Sequence, residues 1–297
     1  MTVWQVARRS DTLGEGMMWL PDQERIAWVD ILGKAFMTAA PDGSDVRTYP
    51  QPSEIGAVLP SSAGELILVR RREVVAFDEA SEDERLIWSA DDMELMSNRF
   101  NDATVDPAGN LWISSMDFDA KAQTGALWRL TPGGSATKQV EGFKCLNGPA
   151  VSNDGRVLYL GDTMEGEVLS FDLDLFSGKL SNRKVFVDLK PFGGLCDGMT
   201  IDSEGNVWIC QITAGRIGCY NPEGDHIYSL ALPVPMITSC CFGGPELRDL
   251  YITTARILLD DADLAAYPES GSLFAALTGV VGLPPNMFGS AKKDILT

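Results

Sequence analysis

The sequence predicts an all-β chain, a six-bladed β-propeller, on three observations. A turn-plus-strand signature recurs, its period is 45 to 50 residues, and strand-like segments stand at both ends. Gly64, Gly109, Gly155 and Gly205 lie 45, 46 and 50 residues apart, and each closes a turn before a short apolar or aromatic run. Such a period with several short strands per unit belongs to propellers, whose four-stranded blades surround a central channel.

In chain order, Val3-Trp4-Gln5-Val6-Ala7 alternates as a half-buried strand. The first repeat turns at Pro21-Asp22-Gln23-Glu24 and continues as Ile26-Ala27-Trp28. The second turns at Gly64, the third runs from Asp106 to Trp112, the fourth from Asn153 to Tyr159 and the fifth from Asp202 to Trp208. A sixth surrounds Glu246 to Thr253. Ser272 to Leu277 reads as a strand able to pair with the N-terminal one, so that the first and last segments share a blade and no sheet edge is left open. With 297 residues at roughly 45 to 50 per blade, one propeller domain over 1–297 is expected, with its site at one end of the channel.

Two irregular stretches interrupt this pattern. Asp117 to Thr124 is polar and longer than a hairpin needs, which reads as a solvated connection or as a lid over the channel mouth. Asp260-Asp261-Ala262-Asp263 has the look of a calcium-loop fragment but lacks the following glycine and the distal glutamate, so a capped turn or short helix is expected.

Composition narrows the partners. No apolar run approaches the ~18 residues of a membrane span, and no charged-then-apolar leader stands at the start, so a cytoplasmic protein with no membrane partner is expected. A net charge of −18 argues against nucleic acid and anionic membrane. The six cysteines include an adjacent pair and show no C-x-x-C spacing, which reads as reduced, buried strand residues. Oligomeric state is not legible in the sequence.

The repeat also carries chemistry. Eight residues before Gly109, Gly155 and Gly205 stand Asn101, Asn147 and Asp197, and the same count from Gln23 reaches Glu15. Turn chemistry gives no reason for polar side chains to keep that register while the repeat length varies. Equivalent positions in a propeller face one axis, so four oxygen-bearing side chains converge there and suit a divalent cation. The hard-ligand set favours calcium, magnesium or manganese, with zinc or iron(II) open. Gly56, the equivalent in the second repeat, leaves the set lopsided with room for a ligand. His226 is the one histidine and is read as a solvated residue of the turn at Asn221 to Asp225, so a Ser-His-Asp or Cys-His machine and a three-histidine zinc site lack material.

Leu13-Gly14-Glu15-Gly16, Asn98-Arg99-Phe100-Asn101-Asp102, Leu146-Asn147-Gly148, Asp197-Gly198-Met199 and Thr238 to Pro245 together resemble the regucalcin-like family, also called the senescence marker protein/gluconolactonase/luciferin-regenerating family. The resemblance runs almost end to end. Thr253-Thr254-Ala255-Arg256 and the run from Ala265 to Phe274 look most like the bacterial sugar lactonases that open xylono-, arabinono- and gluconolactone. The resemblance implies that Glu15, Asn147 and Asp197 hold one divalent cation and that Arg99 and Asn101 bind the sugar lactone. The family usually has proline where Met17 and Cys196 stand, and Lys121 occupies a place where some relatives carry an acidic lid residue.

These roles suggest metal-dependent hydrolysis of a sugar-acid lactone to the aldonic acid. The cation would act as Lewis acid, Asp197 as general base with metal-bound hydroxide as the competing source of the nucleophile, and Arg99 with Asn101 would orient the ring hydroxyls. A related propeller hydrolase acting on phosphotriesters or lipophilic lactones, and a non-catalytic calcium-binding or interaction propeller, are the alternatives.

Overall fold

Twenty-four strands, one short helix and two single 3-10 turns make up the described part of the chain. The structure is a computed structural model and describes residues 2–291. After β1 (Thr2–Ala7) the strands follow in groups of four. The first group is β2 (Gly14–Leu20), β3 (Arg25–Asp30), β4 (Ala35–Ala39) and β5 (Arg47–Pro50); the second is β6 (Ile55–Pro60), β7 (Leu66–Arg70), β8 (Glu73–Phe77) and β9 (Glu84–Ser89). The third is β10 (Asn98–Val105), β11 (Leu111–Asp117), β12 (Gly125–Leu130) and β13 (Ala136–Phe143), and the fourth is β14 (Leu146–Val151), β15 (Val157–Asp162), β16 (Glu167–Leu173) and β17 (Leu180–Asp188). The fifth is β18 (Leu195–Ile201), β19 (Val207–Ile212), β20 (Arg216–Tyr220) and β21 (His226–Ala231). The sixth holds β22 (Ile237–Gly243), β23 (Asp249–Thr254) and β24 (Leu273–Leu277), and β1 completes it as the outer strand.

These are the six blades of a six-bladed β-propeller, each a four-stranded antiparallel meander. The expected pairing of the chain ends is present: Val3 lies opposite Ala276 and Gln5 opposite Phe274. Within each blade the burial grades from inside to outside. Strands β6, β10 and β22 are buried almost throughout, whereas β5, β9 and β17 are largely exposed and carry charged residues such as Arg47, Glu84, Arg85, Arg183 and Lys184, which protects these edges from pairing with other chains.

Chain packing separates two compact units, residues up to Glu54 with Leu189–Pro284, and Ile55–Asp188 with Pro285 onward. In the first, Trp28, Trp19, Met37 and Tyr251 anchor one core, and Trp208, Ile217, Phe242 and Phe274 another. In the second, Trp112, Leu127, Leu160 and Phe171 interdigitate between the third and fourth blades.

The repeated turn is a buried hydrogen-bond device. Asp106 accepts from the backbone N–H of Ala108 and Asn110, from Asn110 Nδ2 and from Trp112 Nε1. Asp202 repeats the arrangement with Glu204, Asn206 and Trp208, its Oδ2 taking the Trp208 Nε1–H at 2.9 Å. Replacing Asp202 by alanine strands several buried donors, each worth about 1–3 kcal/mol when left unsatisfied. Asp202→Ala is therefore expected to lower the unfolding free energy by about 3 kcal/mol, read as a lower denaturant midpoint at unchanged slope. A loss below about 1 kcal/mol would contradict this role.

The Asp260 segment is the expected capped helix. Asp260 accepts from the N–H of Ala262 and Asp263 at the start of α1 (Asp261–Ala266), and Asp263 returns the bond in a capping box. All six cysteines are buried and none forms a disulfide; five lie in strands, while Cys145 sits just before β14. Among the described residues no helix is long and apolar enough to cross a membrane.

Candidate functional site

Every innermost strand bears a break in its ladder at the register where the sequence placed the polar side chains. The shifts fall between Glu15 and Met18, Ile55 and Ala57, Phe100 and Asp102, Asn147 and Ala150, Cys196 and Met199, and Ile237 and Cys240. A bulge frees a residue from alternation and re-aims its side chain, and bulges gather beside active sites for that reason. Asn101 and Asp197 occupy the bulges themselves, and Glu15 and Asn147 stand immediately before theirs. The eight-residue register of the sequence is thus the distance from a bulge to the next turn. All four residues are buried; Glu15 is 5% and Asp197 3% exposed.

In the second unit, Arg99, Asn101 and Asn147 form one hydrogen-bonded set. Arg99 Nη1 donates to Asn101 Oδ1 at 2.5 Å and to the Phe100 carbonyl at 3.2 Å. Asn101 Nδ2 donates to the Leu146 carbonyl at 2.8 Å and to Asn147 Oδ1 at 2.7 Å. Asn147 Nδ2 donates to Thr163 Oγ1 at 2.9 Å. Asp102 supports the same place, its Oδ2 accepting from the Gly148 N–H at 3.1 Å.

Gly56 has a backbone cause: a Cβ there would stand 2.3 Å from the Asn101 carbonyl oxygen. Its missing side chain lets β6 approach β10 closely, which corrects the reading of that glycine as space left for a ligand.

In the first unit, Glu15 on β2 and Asp197 on β18 flank β22. Ser239 Oγ on β22 accepts from the Met17 N–H at 3.3 Å, and a Cβ on Gly198 would meet the same oxygen at 2.8 Å. Both carboxylates act on Cys210: burial above all, then its hydrogen bond to Cys240, the charge of that thiol and the charges of Asp197 and Glu15 push the Cys210 thiol far up. Cys241 is likewise pushed up by burial. Neither supplies a thiolate nucleophile near neutral pH. Met17, where the family usually has proline, packs with Trp19, Trp28 and Tyr251 in the core, and Cys196 is fully buried.

The 117–124 loop is ordered by its own bonds. The Asp117 carboxylate accepts from the Lys121 and Ala122 N–H groups, which hold its pKa below the usual range. The Phe118 N–H donates to the Ser97 carbonyl at 2.9 Å. The Phe118 ring, 38% exposed, lies with its centroid 6.0 Å from the Arg99 guanidinium carbon and 5.3 Å from that of Arg71. Lys121 points to Asp119 in an exposed ion pair. Sequence reasoning missed Thr163, Ser239 and Phe118. The Thr163 hydroxyl follows a hairpin partner and carries no motif, Ser239 stands within the Thr238 to Pro245 motif without a role having been assigned to it, and only the unusual length of the loop pointed toward Phe118.

His226 begins β21 rather than lying in the turn before it. Its exposed ring stands beside the exposed Phe192 and the buried Tyr220, and its Nε2 is 2.9 Å from Ser229 Oγ at the surface.

Among the described residues no group of three or more His, Cys, Asp and Glu side chains stands ready for a metal. The carboxylates of Glu15 and Asp197 in the first unit and the amide oxygen of Asn147 in the second are each hard oxygen donors of the kind divalent cations take. Asn147 Nδ2 is engaged by Thr163, while Oδ1, which accepts from Asn101 Nδ2 at 2.7 Å, has a second lone pair that a cation can take.

Residues 13–256 match the SMP-30/Gluconolactonase/LRE-like region. The chain is 32% identical to regucalcin of Danio rerio over 284 residues, covering 94% of this chain and 96% of that protein. It is 31% identical to a putative sugar lactone lactonase of Bacillus subtilis over 277 residues, covering 93% and 94%. The crystal structure of a calcium-binding protein, regucalcin, from Agrobacterium tumefaciens superposes with a TM-score of 0.91 at 25% identity, covering 96% of this chain and 97% of the other.

Proposed function

Since the chain belongs to the SMP-30/gluconolactonase/LRE-like family, we propose that it is a cation-dependent lactonase that opens a sugar-acid lactone to the free aldonic acid. Its propeller, taken as one domain over 1–297, holds one divalent cation on Glu15, Asn147 and Asp197. The observation that carries the reading is the hydrogen-bonded set of Arg99, Asn101 and Asn147, which joins a guanidinium that can donate to hydroxyls and an amide oxygen that can accept from them to a second amide oxygen suited to a hard cation. Relatives with sugar lactonase and regucalcin names support it.

The cation, when bound, supplies electrophilic polarisation of the lactone carbonyl and charge opposite the developing oxyanion. Arg99 and Asn101 hydrogen-bond the ring hydroxyls and hold the lactone near attack geometry, which favours polyhydroxylated over plain lactones. Asp197, through a carboxylate oxygen not engaged with the cation, takes a proton from the attacking water. The water oxygen bonds to the carbonyl carbon, the ring C–O bond breaks, and the ring oxygen leaves as a hydroxyl by taking the proton that Asp197 removed from the water. Histidine has no part, because His226 lies at the surface among aromatic rings.

Purified protein supplied with calcium, manganese, zinc, magnesium or iron(II) is expected to accelerate ring opening of xylono-, arabinono-, galactono- or gluconolactone above the spontaneous rate. A pH-indicator assay reads it, with a phosphotriester and a lipophilic lactone as competing substrates. No acceleration with any aldonolactone would overturn the proposal. Calcium binding without turnover would favour the second reading, a calcium-binding propeller, which the calcium-binding description of the Agrobacterium protein supports.

A further inference from the structure

The side chain of Asn147 is an amide, and an amide can bind a cation only through its oxygen. Rotating it by half a turn would present NH2 instead, so some neighbour must set its direction. The second unit does this from both sides. Arg99 is a donor only, and it points at Asn101 Oδ1; the Leu146 carbonyl is an acceptor only, and it takes the Asn101 Nδ2–H. Asn101 therefore has one allowed direction, and its Nδ2 faces Asn147 Oδ1 at 2.7 Å. At the other end Thr163 Oγ1, 2.9 Å away, accepts from Asn147 Nδ2, with Cys145 Sγ a longer contact at 3.8 Å.

Thr163 is buried and its own N–H is tied to the Cys145 carbonyl, so the hydroxyl is fixed in place. It opens the 3-10 turn Thr163–Glu165 directly after β15, and Asp162 pairs with Leu146 in the β14–β15 ladder. The hairpin register thereby sets the hydroxyl against the amide one position along.

We infer that Thr163 is a positioning residue for the cation: its hydroxyl holds the Asn147 NH2 so that the amide oxygen remains turned toward the ion. The inference rests on the reading above that Asn147 holds the cation. It assigns Thr163 no contact with substrate or ion. Outer partners of this kind commonly govern 10- to 100-fold in metal affinity.

Isothermal titration of chelator-stripped protein with calcium and with manganese tests it on wild type, Thr163→Val and Thr163→Ser, with thermal melts alongside. Thr163→Val keeps the side-chain volume and removes the acceptor, and it is expected to weaken cation binding roughly 10- to 100-fold. Thr163→Ser restores the hydroxyl and is expected to bind within about threefold of wild type, a rescue that loss of packing alone would not give. Wild-type affinity in Thr163→Val, or equal loss in both variants, would overturn the inference. Absence of cation binding by wild type would instead remove the proposed cation reading itself, so the two failures are distinguishable. Asn147→Asp supplies a second measurement, and if Thr163→Val melts too low to titrate, Thr163→Ala, which also removes the acceptor, replaces it in both backgrounds. The introduced carboxylate offers oxygen in either direction, so the Thr163→Val penalty should vanish in the Asn147→Asp background, and its persistence there would contradict the role.

Discussion

Asp197→Asn is expected to lose both cation retention and turnover, the largest effect of any single change in this chain. The substitution preserves shape and removes one of two buried charges proposed to face the ion. Removing one partner of a buried charge pair costs about 3–5 kcal/mol, which corresponds to a dissociation constant roughly a hundred to several thousand times higher. Turnover falls further, because the amide has no basic oxygen with which to take a proton from water. Glu15→Gln separates the two roles. It should lose a similar part of the cation affinity, yet regain a measurable fraction of kcat when the cation is supplied in excess, since Asp197 remains. Chelator-competition binding and initial rates across a cation series measure both, and full recovery of Asp197→Asn by excess cation would contradict its assignment as base.

Arg99→Ala is expected to raise KM about 10- to 100-fold, the range of one hydrogen bond from a charged donor at about 1.5–3 kcal/mol. Cation affinity should stay within about threefold of wild type. The reason lies in the amide set: with Arg99 gone, the Leu146 carbonyl still directs Asn101 Nδ2, and Thr163 still directs Asn147. Saturation kinetics beside cation titration give the split. A loss of cation binding equal to that of Asp197→Asn would show that Arg99 holds the metal arm rather than the substrate.

The contrast between these variants reflects what the sequence carried. The blade count was legible because the turns are chemically demanding. Asp106 and Asp202 each gather several donors, and such a device leaves the same letters, Asp, Gly, Asn and Trp, at the same offsets. The closure of the chain ends was legible from alternation in Val3 to Ala7 and from the apolar run in Ser272 to Leu277. The polar register was legible for a reason visible only in the structure: the innermost strand of every blade is bulged, and the bulge keeps a constant distance to its turn.

Other features left no signal. Gly56 looks like an empty position in the register, but it is a close approach of backbones, and sequence does not distinguish the two. Thr163 is sixteen residues from Asn147 and meets it only through a hairpin ladder. The segment from Val281 to Ser290 is irregular and makes its contacts largely through backbone groups. Within the first unit Val281 accepts from the Ser203 N–H, and within the second Gly289 donates to the Gly109 carbonyl. Main-chain contacts of this kind leave little pattern in residue type beyond single positions such as Asn286, whose side chain donates to the Val105 carbonyl, and Gly109, where a Cβ would strike Ser290 at 2.7 Å.

The central claim, that this propeller opens sugar-acid lactones with the help of a cation, is tested most directly by one progress curve recorded twice. Chelator-stripped protein is mixed with an aldonolactone and proton release is followed against the spontaneous background, then the divalent cation is added to the same cuvette. The account predicts no acceleration before the addition and a marked one after it, with Asp197→Asn flat throughout. Acceleration that persists after complete stripping, or none after any cation is restored, would contradict it.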